Sequence, residues 1–377
     1  MEIVDVAIAG GGPAGSTCAA VCAAAGLRTV LLEREKFPRE KVCGDCINPA
    51  CLPVLQRLGL AEDVSNWPHA VLEAVDFITI GGSAVRASLP TGGARMLTIK
   101  RSVLDDRLLN RARELGAQVH QESTVVALHR RRDHDWKIDI VQDTYLARVL
   151  VGADGRNSTV ARFCNLLRHP ERERVALQAH IPLPAGFGNR IVLQFLPEGY
   201  SGQAQVNERE LNLCLVGTPP TIASLRTWAE REFKLPRNQQ WRTITPLTRA
   251  PVSSVHDNLF FIGDAARVVE PFTGEGIYYA LRSGELAANT IVRIIRGEDR
   301  QLATREFARA HRAMYRGRLW INQLAREAVL HPQVASKLIA VTPISAPLLR
   351  WLTRKTVNTT KSLNAQNSQA LQPTVET

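Results

Sequence analysis

The stretch "IVDVAIAGGGPAGSTCAAVCAAAG" at residues 3–26 decides the fold of this protein. An apolar run that fits a buried parallel strand leads into Gly10, Gly12 and Gly15, which have the spacing G-x-G-x-x-G. The alanine-rich segment that follows fits a helix, because a proline stands near its first position and a glycine at its end. Residues 28–34, "RTVLLER", predict a second buried strand. The N-terminal residues therefore predict a βαβ unit.

The three glycines predict a dinucleotide site. Gly10 allows a tight turn, Gly12 lets a pyrophosphate approach the backbone, and Gly15 permits close packing of the helix on the strand. The phosphates would lie at the N-terminus of that helix. Glu33 ends the second strand, where an acidic side chain would bind ribose hydroxyls. Because Glu33 would repel a 2′-phosphate, we expect FAD or NAD and not NADP.

A second stretch, "LFFIGDAARVVEPFTGEGI" at residues 259–277, decides between these two ligands. Gly263 and Asp264 follow a buried strand, so Asp264 can reach from the end of the sheet toward a polyol. The segment then turns into a helix at about Gly276, whose positive N-terminus would face an anion. Reduced flavin carries negative charge near N1 and the C2 oxygen, so this arrangement favours FAD.

Four segments in a fixed order carry a family resemblance: "GGGPAG" with the later "LLER", "KVCGD" at residues 41–45, "VGADGRNSTVAR" at 151–162, and "GDAARVVEPFTGEGI" at 263–277. Together they resemble the para-hydroxybenzoate-hydroxylase-like superfamily of FAD-dependent oxidoreductases. "KVCGD" resembles its geranylgeranyl-reductase-like branch. The superfamily also includes aromatic hydroxylases and flavin-dependent halogenases. The resemblance extends from residue 1 to about residue 290.

The resemblance implies a set of cofactor-binding residues and leaves the catalytic side chains unknown, because the flavin carries the chemistry. Asp154 would support the cofactor and, in hydroxylases, a visiting nicotinamide, while Val125 would lie on the adenine side. Asp264 would bind ribityl or pyrophosphate groups. The candidate cofactor-binding residues are Gly10, Gly12, Ala14, Gly15, Glu33, Arg34, Cys43, Gly44, Arg101, Val125, Asp154, Asp264, Gly276 and Ile277, and the candidates for the flavin pocket are Cys43, Gly44 and Pro271.

The predicted fold class is α/β: a Rossmann-like FAD-binding domain of the glutathione-reductase type, interleaved with an antiparallel-sheet substrate domain and followed by a helical C-terminus. The dinucleotide-domain pattern returns near residues 148–162 and 259–285, after segments that alternate apolar and polar residues, so the domains are not consecutive. The predicted boundaries are residues 1–70, 101–175 and 250–300 for the FAD-binding domain, 71–100 and 176–249 for the substrate sheet, 301–355 for the C-terminal helices and 356–377 for a disordered tail. Residues 102–116 predict an amphipathic helix capped by Ser102.

The CxxC pair of Cys43 and Cys46 has three interpretations. A zinc site needs four ligands, and no second CxxC or His pair stands at a suitable spacing. A working redox dithiol is the second interpretation. The resemblance favours the third, a packed loop in which Cys43 and Gly44 line the flavin pocket. No metal is expected.

The sequence motifs identify the reaction less closely than they identify the cofactor. Halogenases of this fold carry a W-x-W-x-I-P motif, and Trp136 stands alone in "DWKIDI". Geranylgeranyl reductases tend to carry Y-x-W-x-F-P, whereas residues 198–217 keep Gly199 and Tyr200 but lack the tryptophan and the Phe-Pro. The leading hypothesis is therefore a monooxygenase that hydroxylates an apolar or aromatic secondary metabolite. Reduction of isoprenoid double bonds is the alternative, and a flavoprotein that modifies or matures a partner protein is the third. NADH or NADPH would be a transient electron donor.

Composition restricts the partners. The 377 residues carry a formal charge of +11, which favours an acidic carrier or electron-donor protein, an anionic membrane face or a phosphorylated ligand. No nucleic-acid-binding module is recognised, so nucleic acid is not expected. Seven cysteines in no disulfide pattern indicate a reduced, cytoplasmic protein. Residues 336–356 are apolar and basic, and peripheral membrane contact is one reading of them. Pro343 and Pro347 would break a long helix there, which favours a helical cap over the substrate domain.

Overall fold

The computed structural model describes residues 2–91, 94–131, 135–167 and 174–357, and in 342–345 only the backbone. It has the predicted α/β class, with two large sheets, helices packed on the first sheet and a helical C-terminus. The structure is described by its sheets and helices, and the domain boundaries given above remain predictions. The predicted tail, apart from its first two residues, lies outside the described part of the chain.

The first sheet carries the dinucleotide motif and is parallel at its centre. Its strands, in spatial order, are β17 (Val255–His256), β18 (Leu259–Phe261), β11 (Thr144–Gly152), β1 (Glu2–Ala9), β2 (Thr29–Leu32) and β8 (Gln118–His120), with β9 (Val125–Arg130) and β10 (Trp136–Ile140) joined antiparallel through β11. Strand β1 is central because both its faces are apolar: Val6 and Ile8 pack into one core cluster, and Ala7 and Ala9 into another.

Helices cover the first sheet. They are α1 (Pro13–Ala24), α2 (Leu52–Arg57), α3 (Arg101–Glu114), α4 (Thr159–Phe163), α6 (Gly276–Ile295) and α7 (Arg300–Met314), and α5 (Ile222–Glu232) packs on the second sheet. Helix α1 lies against both α3 and α6 at very close approach. A Cβ on Gly15 would stand 1.9 Å from the carbonyl oxygen of Gly10, and a Cβ on Gly284 would stand 2.3 Å from that of Ala14. Glycine at these positions is therefore a packing requirement.

The second sheet is mixed, although the sequence predicted an antiparallel one. Its order is β16 (Arg242–Ile244), β12 (Val175–Pro182), β15 (Glu210–Gly217), β14 (Gly199–Gln205), β13 (Arg190–Leu196), β5 (Ala74–Ile78) and β6 (Ala84–Ser88). Strands β13 and β5 pair in parallel. Alternation of apolar and polar residues reports which side chains are buried and carries no information on strand direction. The strands β3 (Cys46–Ile47), β7 (Met96–Thr98) and β4 (Ala70–Leu72) form a separate small sheet.

The predicted start of α3 was off by one residue, and its predicted cap was wrong. The helix begins at Arg101, follows Lys100 and receives no capping bond from a neighbouring side chain. Instead, the carboxylate of Asp45 accepts a hydrogen bond from the Arg101 amide at 3.2 Å. Asp45 lies 56 residues away along the chain, so local sequence could not reveal this cap.

The C-terminal residues form α8 (Leu319–Leu330), α9 (Pro332–Ala340) and α10 (Thr342–Val357). These helices pack on β14, β13 and β6 of the second sheet, in the position of a cap. The expectation that Pro343 and Pro347 would both break the helix was wrong. The chain turns at Val341 instead, and Pro347 lies inside α10. Helix α10 also extends through Val357, past the predicted start of the tail.

We predict that Gly284→Ala destabilises the protein by about 1–3 kcal/mol, since the added methyl group would overlap the Ala14 carbonyl oxygen. The gain in helix propensity, about 1 kcal/mol, is too small to offset the forced separation of α1 and α6. Urea unfolding measures the change. Gly81→Ala is the control, because nothing lies within 4 Å of the added carbon. Equal stability of the two variants would contradict the close packing.

Candidate cofactor and substrate site

An elongated cavity of about 930 Å³ runs from the dinucleotide motif, across the inner side of the second sheet, to the C-terminal helices. Its first part is lined by polar and cationic groups from the first sheet. Its far part is lined by apolar side chains from the second sheet and from α8–α10. The ends of β1 and β2 open into the first part because carboxyl ends of parallel strands meet at one edge of a sheet.

The N-terminus of α1 points its free amides at this first part. Gly12 is the N-cap residue and offers no side-chain cap, so these amides remain available to an anion. Gly10 takes φ +106°, which makes the turn from β1 into α1. Glu33 is buried at the end of β2, where its carboxylate accepts hydrogen bonds from the Gly11 amide at 2.6 Å and the Glu35 amide at 2.8 Å. Its position on the cavity wall is the one predicted for a ribose-binding acid.

Five cations line this region, namely Arg34, Arg39, Lys41, Arg101 and Arg156. Arg101 forms a bidentate pair with Asp105, both bonds being 2.7 Å. Burial alone would lower the pKa of Arg101, but the charge of Asp105 outweighs it and the pKa is raised. Burial lowers the pKa of Lys41 to about 8, and the nearby charges of Arg101 and Arg39 act in the same direction. The cavity wall therefore carries positive charge that an anionic ligand would stabilise.

The turn at residues 154–156 shows unmet hydrogen-bonding capacity. Asp154 uses one carboxylate oxygen to accept bonds from the amides of Thr159 (2.6 Å) and Val160 (3.0 Å), which caps α4. Among the described residues, the other oxygen of Asp154 and Nε of Arg156 are buried without a hydrogen-bond partner. Asp264, at the end of β18, pairs with Arg156 at 3.2 Å. Burial raises the pKa of Asp154.

Asp45 links the "KVCGD" loop to the second sheet. This buried residue adopts a left-handed backbone conformation, φ 57°. Its carboxylate lies 2.7 Å from Nε2 of His180 on β12 and accepts a hydrogen bond from the side-chain amide of Asn212 on β15. Asn212 also donates to the Cys43 carbonyl oxygen at 2.8 Å. The loop that carries Cys43 is thus clamped between the two halves of the molecule.

Three free thiols, Cys43, Cys46 and Cys214, meet where the cationic and apolar parts of the cavity join. Burial raises the pKa of each. The positive charge of Arg101 lowers the pKa of Cys43 and partly opposes this effect there. The raised pKa values disfavour a reactive dithiol, which requires thiolate. Across the described part of the chain, no three His, Cys, Asp or Glu side chains converge as a metal site would require.

The apolar part of the cavity begins at Phe272, whose ring stands edge-on to Tyr200 at 5.3 Å. It continues between the second sheet and the C-terminal helices. Its lining includes Phe77, Leu193 and Phe195 from the sheet and Ile321, Ala328, Leu338 and Leu352 from the helices. An elongated apolar space of this kind suits a molecule with a long hydrocarbon chain.

All the predicted site residues except Gly15 line this one cavity: Gly10, Gly12, Ala14, Glu33, Arg34, Cys43, Gly44, Arg101, Val125, Asp154, Asp264, Pro271, Gly276 and Ile277. Their individual contacts with a cofactor stay predictions. Sequence reasoning missed Arg39, Lys41, Arg156 and Cys214. Lys41 and Arg156 do lie inside the quoted family segments, which was the only available signal. Cys214 reaches the site through strand pairing alone.

The fold and site define a dinucleotide-binding oxidoreductase whose cofactor cleft continues into an apolar cavity. The residues present fit FAD. An uncapped helix N-terminus, a cationic wall, a buried acid at the end of β2 and unpartnered polar atoms in the 154–156 turn supply the partners that an adenine dinucleotide needs.

Comparison with known proteins agrees with this class. Residues 3–179 match the family described as FAD binding domain. The chain is 30% identical to menaquinone reductase of Mycolicibacterium smegmatis over 75% of each protein. It is 28% identical to digeranylgeranylglycerophospholipid reductase of Methanocella arvoryzae, over 78% of this chain and 79% of that one. Conditioned medium factor receptor 1 of Dictyostelium discoideum is 27% identical, and there the match spans 79% of this chain but only 65% of the relative.

Solved structures share the fold. A triple mutant of the flavin-dependent brominase Bmp2 superimposes with a TM-score of 0.76 at 21% identity, covering 95% of this chain and 96% of that one. PqsL, a probable FAD-dependent monooxygenase from Pseudomonas aeruginosa, gives 0.72 at 17% identity, covering 95% and 100%. The chain belongs to the para-hydroxybenzoate-hydroxylase-like superfamily of FAD-dependent oxidoreductases, as its motifs predicted.

We predict that the affinity for FAD depends on the protonation of Lys41. An anion bound beside Lys41 would keep it charged, so binding takes up a proton wherever the free protein has lost it. Affinity should be constant well below pH 8 and should weaken by up to about tenfold per pH unit above it, because the pKa of Lys41 in the free protein is about 8. Quenching of flavin fluorescence in a titration of apoprotein measures this.

Lys41→Met should bind FAD more weakly at pH 7 and should lose the dependence on pH. Lys36→Met, at an exposed lysine nearby, is the matched control and should keep it. If Lys41→Met retains the same slope above pH 8, another group is responsible.

Proposed function

We propose that this FAD-dependent oxidoreductase reduces a carbon–carbon double bond in a lipid-like isoprenoid. The observation that carries the proposal is the cavity, which leaves the dinucleotide site past three thiols and continues as an apolar channel to the C-terminal helices. The names of two relatives support it, since menaquinone and digeranylgeranyl lipids both carry long isoprenoid chains. The structure thus favours the alternative over hydroxylation, the leading hypothesis from sequence.

The titratable groups at the junction favour reduction because they are proton donors. Among the described residues of the 41–46 loop, β14 and β15 that line the cavity, the titratable groups besides Lys41 are Cys43, Cys46, Cys214 and Tyr200. Burial raises the pKa of all four, so they are protonated at neutral pH. Saturation of a double bond consumes a hydride and a proton, that is, two electrons and two protons, and a protein acid can deliver the proton. Hydroxylation of a phenol would require a base at this junction.

Cys43 is the best placed of these donors. The positive charge of Arg101 lowers the pKa of its thiol and would stabilise the thiolate left after proton transfer. Cys46 instead donates to the Gly44 carbonyl oxygen at 3.3 Å, and Asp45 and Cys43 add to the rise in its pKa. FAD, when bound, supplies the two-electron redox chemistry. NADH or NADPH is the proposed electron donor, and its nicotinamide would visit the flavin site because the sequence holds one dinucleotide fingerprint.

Hydroxylation of an aromatic head group is the second candidate, and one observation favours it. Where the Y-x-W-x-F-P segment of geranylgeranyl reductases has tryptophan and phenylalanine, this chain has Gly202 and Ala204, and both line the cavity. These small side chains leave room for a ring. A long-chain phenol or quinone would then place its head group at the junction and its chain between the helices.

We predict that Cys43→Ala retains FAD and loses turnover by roughly a hundredfold or more, the usual contribution of a general acid. Cys46→Ala is the matched control, since it removes a similarly buried thiol whose pKa no cation lowers, and should keep most of the turnover. Turnover is followed with a prenylated quinone, and FAD content by absorbance. Equal losses in the two variants would indicate a packing role and would contradict proton donation by Cys43.

Product analysis without oxygen separates the two candidate reactions. We expect the dithionite-reduced protein, mixed anaerobically with a geranylgeranyl lipid, to yield a product with two additional hydrogens by mass spectrometry. With a prenylated quinone, the mass is read after the head group has been reoxidised, because dithionite itself reduces a quinone to the quinol. A product that forms only with oxygen, and carries label from ¹⁸O₂, would establish hydroxylation instead. A long-chain alkyl phenol, tested in parallel, covers the second candidate.

A further inference from the structure

The positive charge of the protein is concentrated in its C-terminal helices. Residues 300–357 contain eleven Lys and Arg but only two Asp and Glu, so they hold nine of the eleven net positive charges. The rest of the chain is nearly neutral. On α7 and the turn after it, Arg305, Arg309, Arg312 and Arg316 are exposed at a spacing that places them along one side. A charge this localised indicates an anionic partner and not a general solubilising surface.

The same helices expose large apolar side chains. Trp320, Leu324, Val334, Leu338, Leu348 and Trp351 are each 40–67% exposed, and they lie on α8, α9 and α10. We call these six residues the C-terminal face. An exposed group of this size on a soluble protein marks an interaction surface.

A lysine joins the two tryptophans of this face. The Lys355 ammonium stands 5.0 Å from the ring centre of Trp320 and 4.9 Å from that of Trp351. The two rings are themselves 5.8 Å apart. Tryptophan beside a basic residue is typical of the water–lipid boundary, where the ring lies among the head groups and the cation contacts phosphate.

The cavity opens at the C-terminal face. Leu324, Val334, Leu338 and Leu348 line the cavity, and each is also about half exposed or more. The opposite side of α8–α10 is buried on the second sheet, where Ala335 and Ile339 belong to its core. A hydrocarbon chain could therefore pass from the C-terminal face into the channel without crossing water.

Other occupants fit these observations less well. A second copy would bring the same positive charge against itself, and the two surfaces would repel. An acidic protein would complement the charge but would leave the apolar mouth of the cavity without a role. No described helix is long and apolar enough to cross a membrane.

We propose that the C-terminal face docks on an anionic phospholipid bilayer and that the cavity takes its substrate directly from that bilayer. The route for substrate rests on the proposed function, whereas docking itself does not. Basic residues would draw the protein to the surface, and Trp320, Leu338 and Trp351 would enter the head-group region.

Flotation of full-length, FAD-loaded protein with vesicles tests the proposal. We expect binding to vesicles that contain phosphatidylglycerol and little binding to pure phosphatidylcholine. Lys337→Gln with Arg354→Gln removes two exposed charges and should weaken binding roughly thirtyfold. Leu338→Gln and Trp351→Gln should each weaken it roughly tenfold. Arg237→Gln and Val141→Gln, at exposed residues outside the C-terminal helices, should bind as the parent does.

The proposal is overturned if the parent does not float with phosphatidylglycerol, or if the two control variants lose binding as strongly as the C-terminal ones. It is also overturned if light scattering shows a dimer that the Trp351→Gln substitution dissociates and the parent protein does not bind vesicles. Turnover of detergent-dispersed lipid without vesicle binding would remove docking and leave the proposed function in place. Vesicle binding without turnover of any lipid would support docking and would contradict the proposed function.

Discussion

The buried carboxylate of Asp45 is the contact on which the rest of the site depends. It caps α3 through the Arg101 amide, lies 2.7 Å from Nε2 of His180 and accepts a hydrogen bond from the Asn212 side chain. One side chain thereby joins the cofactor half of the molecule to two strands of the second sheet. Cys43 stands two residues earlier on the same loop, so this clamp sets where the thiol meets the cavity. A buried carboxylate without hydrogen-bond partners would destabilise the fold. The three contacts of Asp45 therefore stabilise its buried position together.

The cavity has a cationic part and an apolar part, which would have complementary roles. Its first part holds a cationic cluster whose internal repulsion helps to lower the pKa of Lys41, a state that an anionic cofactor would relieve. Its far part offers only dispersion and hydrophobic contact, which can hold a hydrocarbon chain without selecting a reacting atom. Cys43, with Arg101 beside it, lies at the junction. Recognition would thus come from the ends of the cavity and chemistry from its middle.

Where sequence reasoning was wrong, the cause was a partner far away along the chain. The cap of α3 comes from Asp45 and not from Ser102, because a tertiary carboxylate replaced the local one. The parallel pairing of β13 with β5 follows from how the chain crosses between domains, which alternation does not encode. Pro347 remains inside α10 although its ring removes a hydrogen bond, since packing of the helix on β6 holds it there.

The amino-acid sequence by itself determined the cofactor half of this protein. Gly10, Gly12 and Gly15 act through local sterics and spacing, which are visible in the sequence itself. The fixed order of the family segments then indicated the rest of the cofactor half. The tertiary structure alone brought Cys214 beside Cys43 and turned three short helices into one wall of a channel. These features arise from strand pairing and packing between residues more than a hundred positions apart. Such contacts leave no periodic trace in a single sequence.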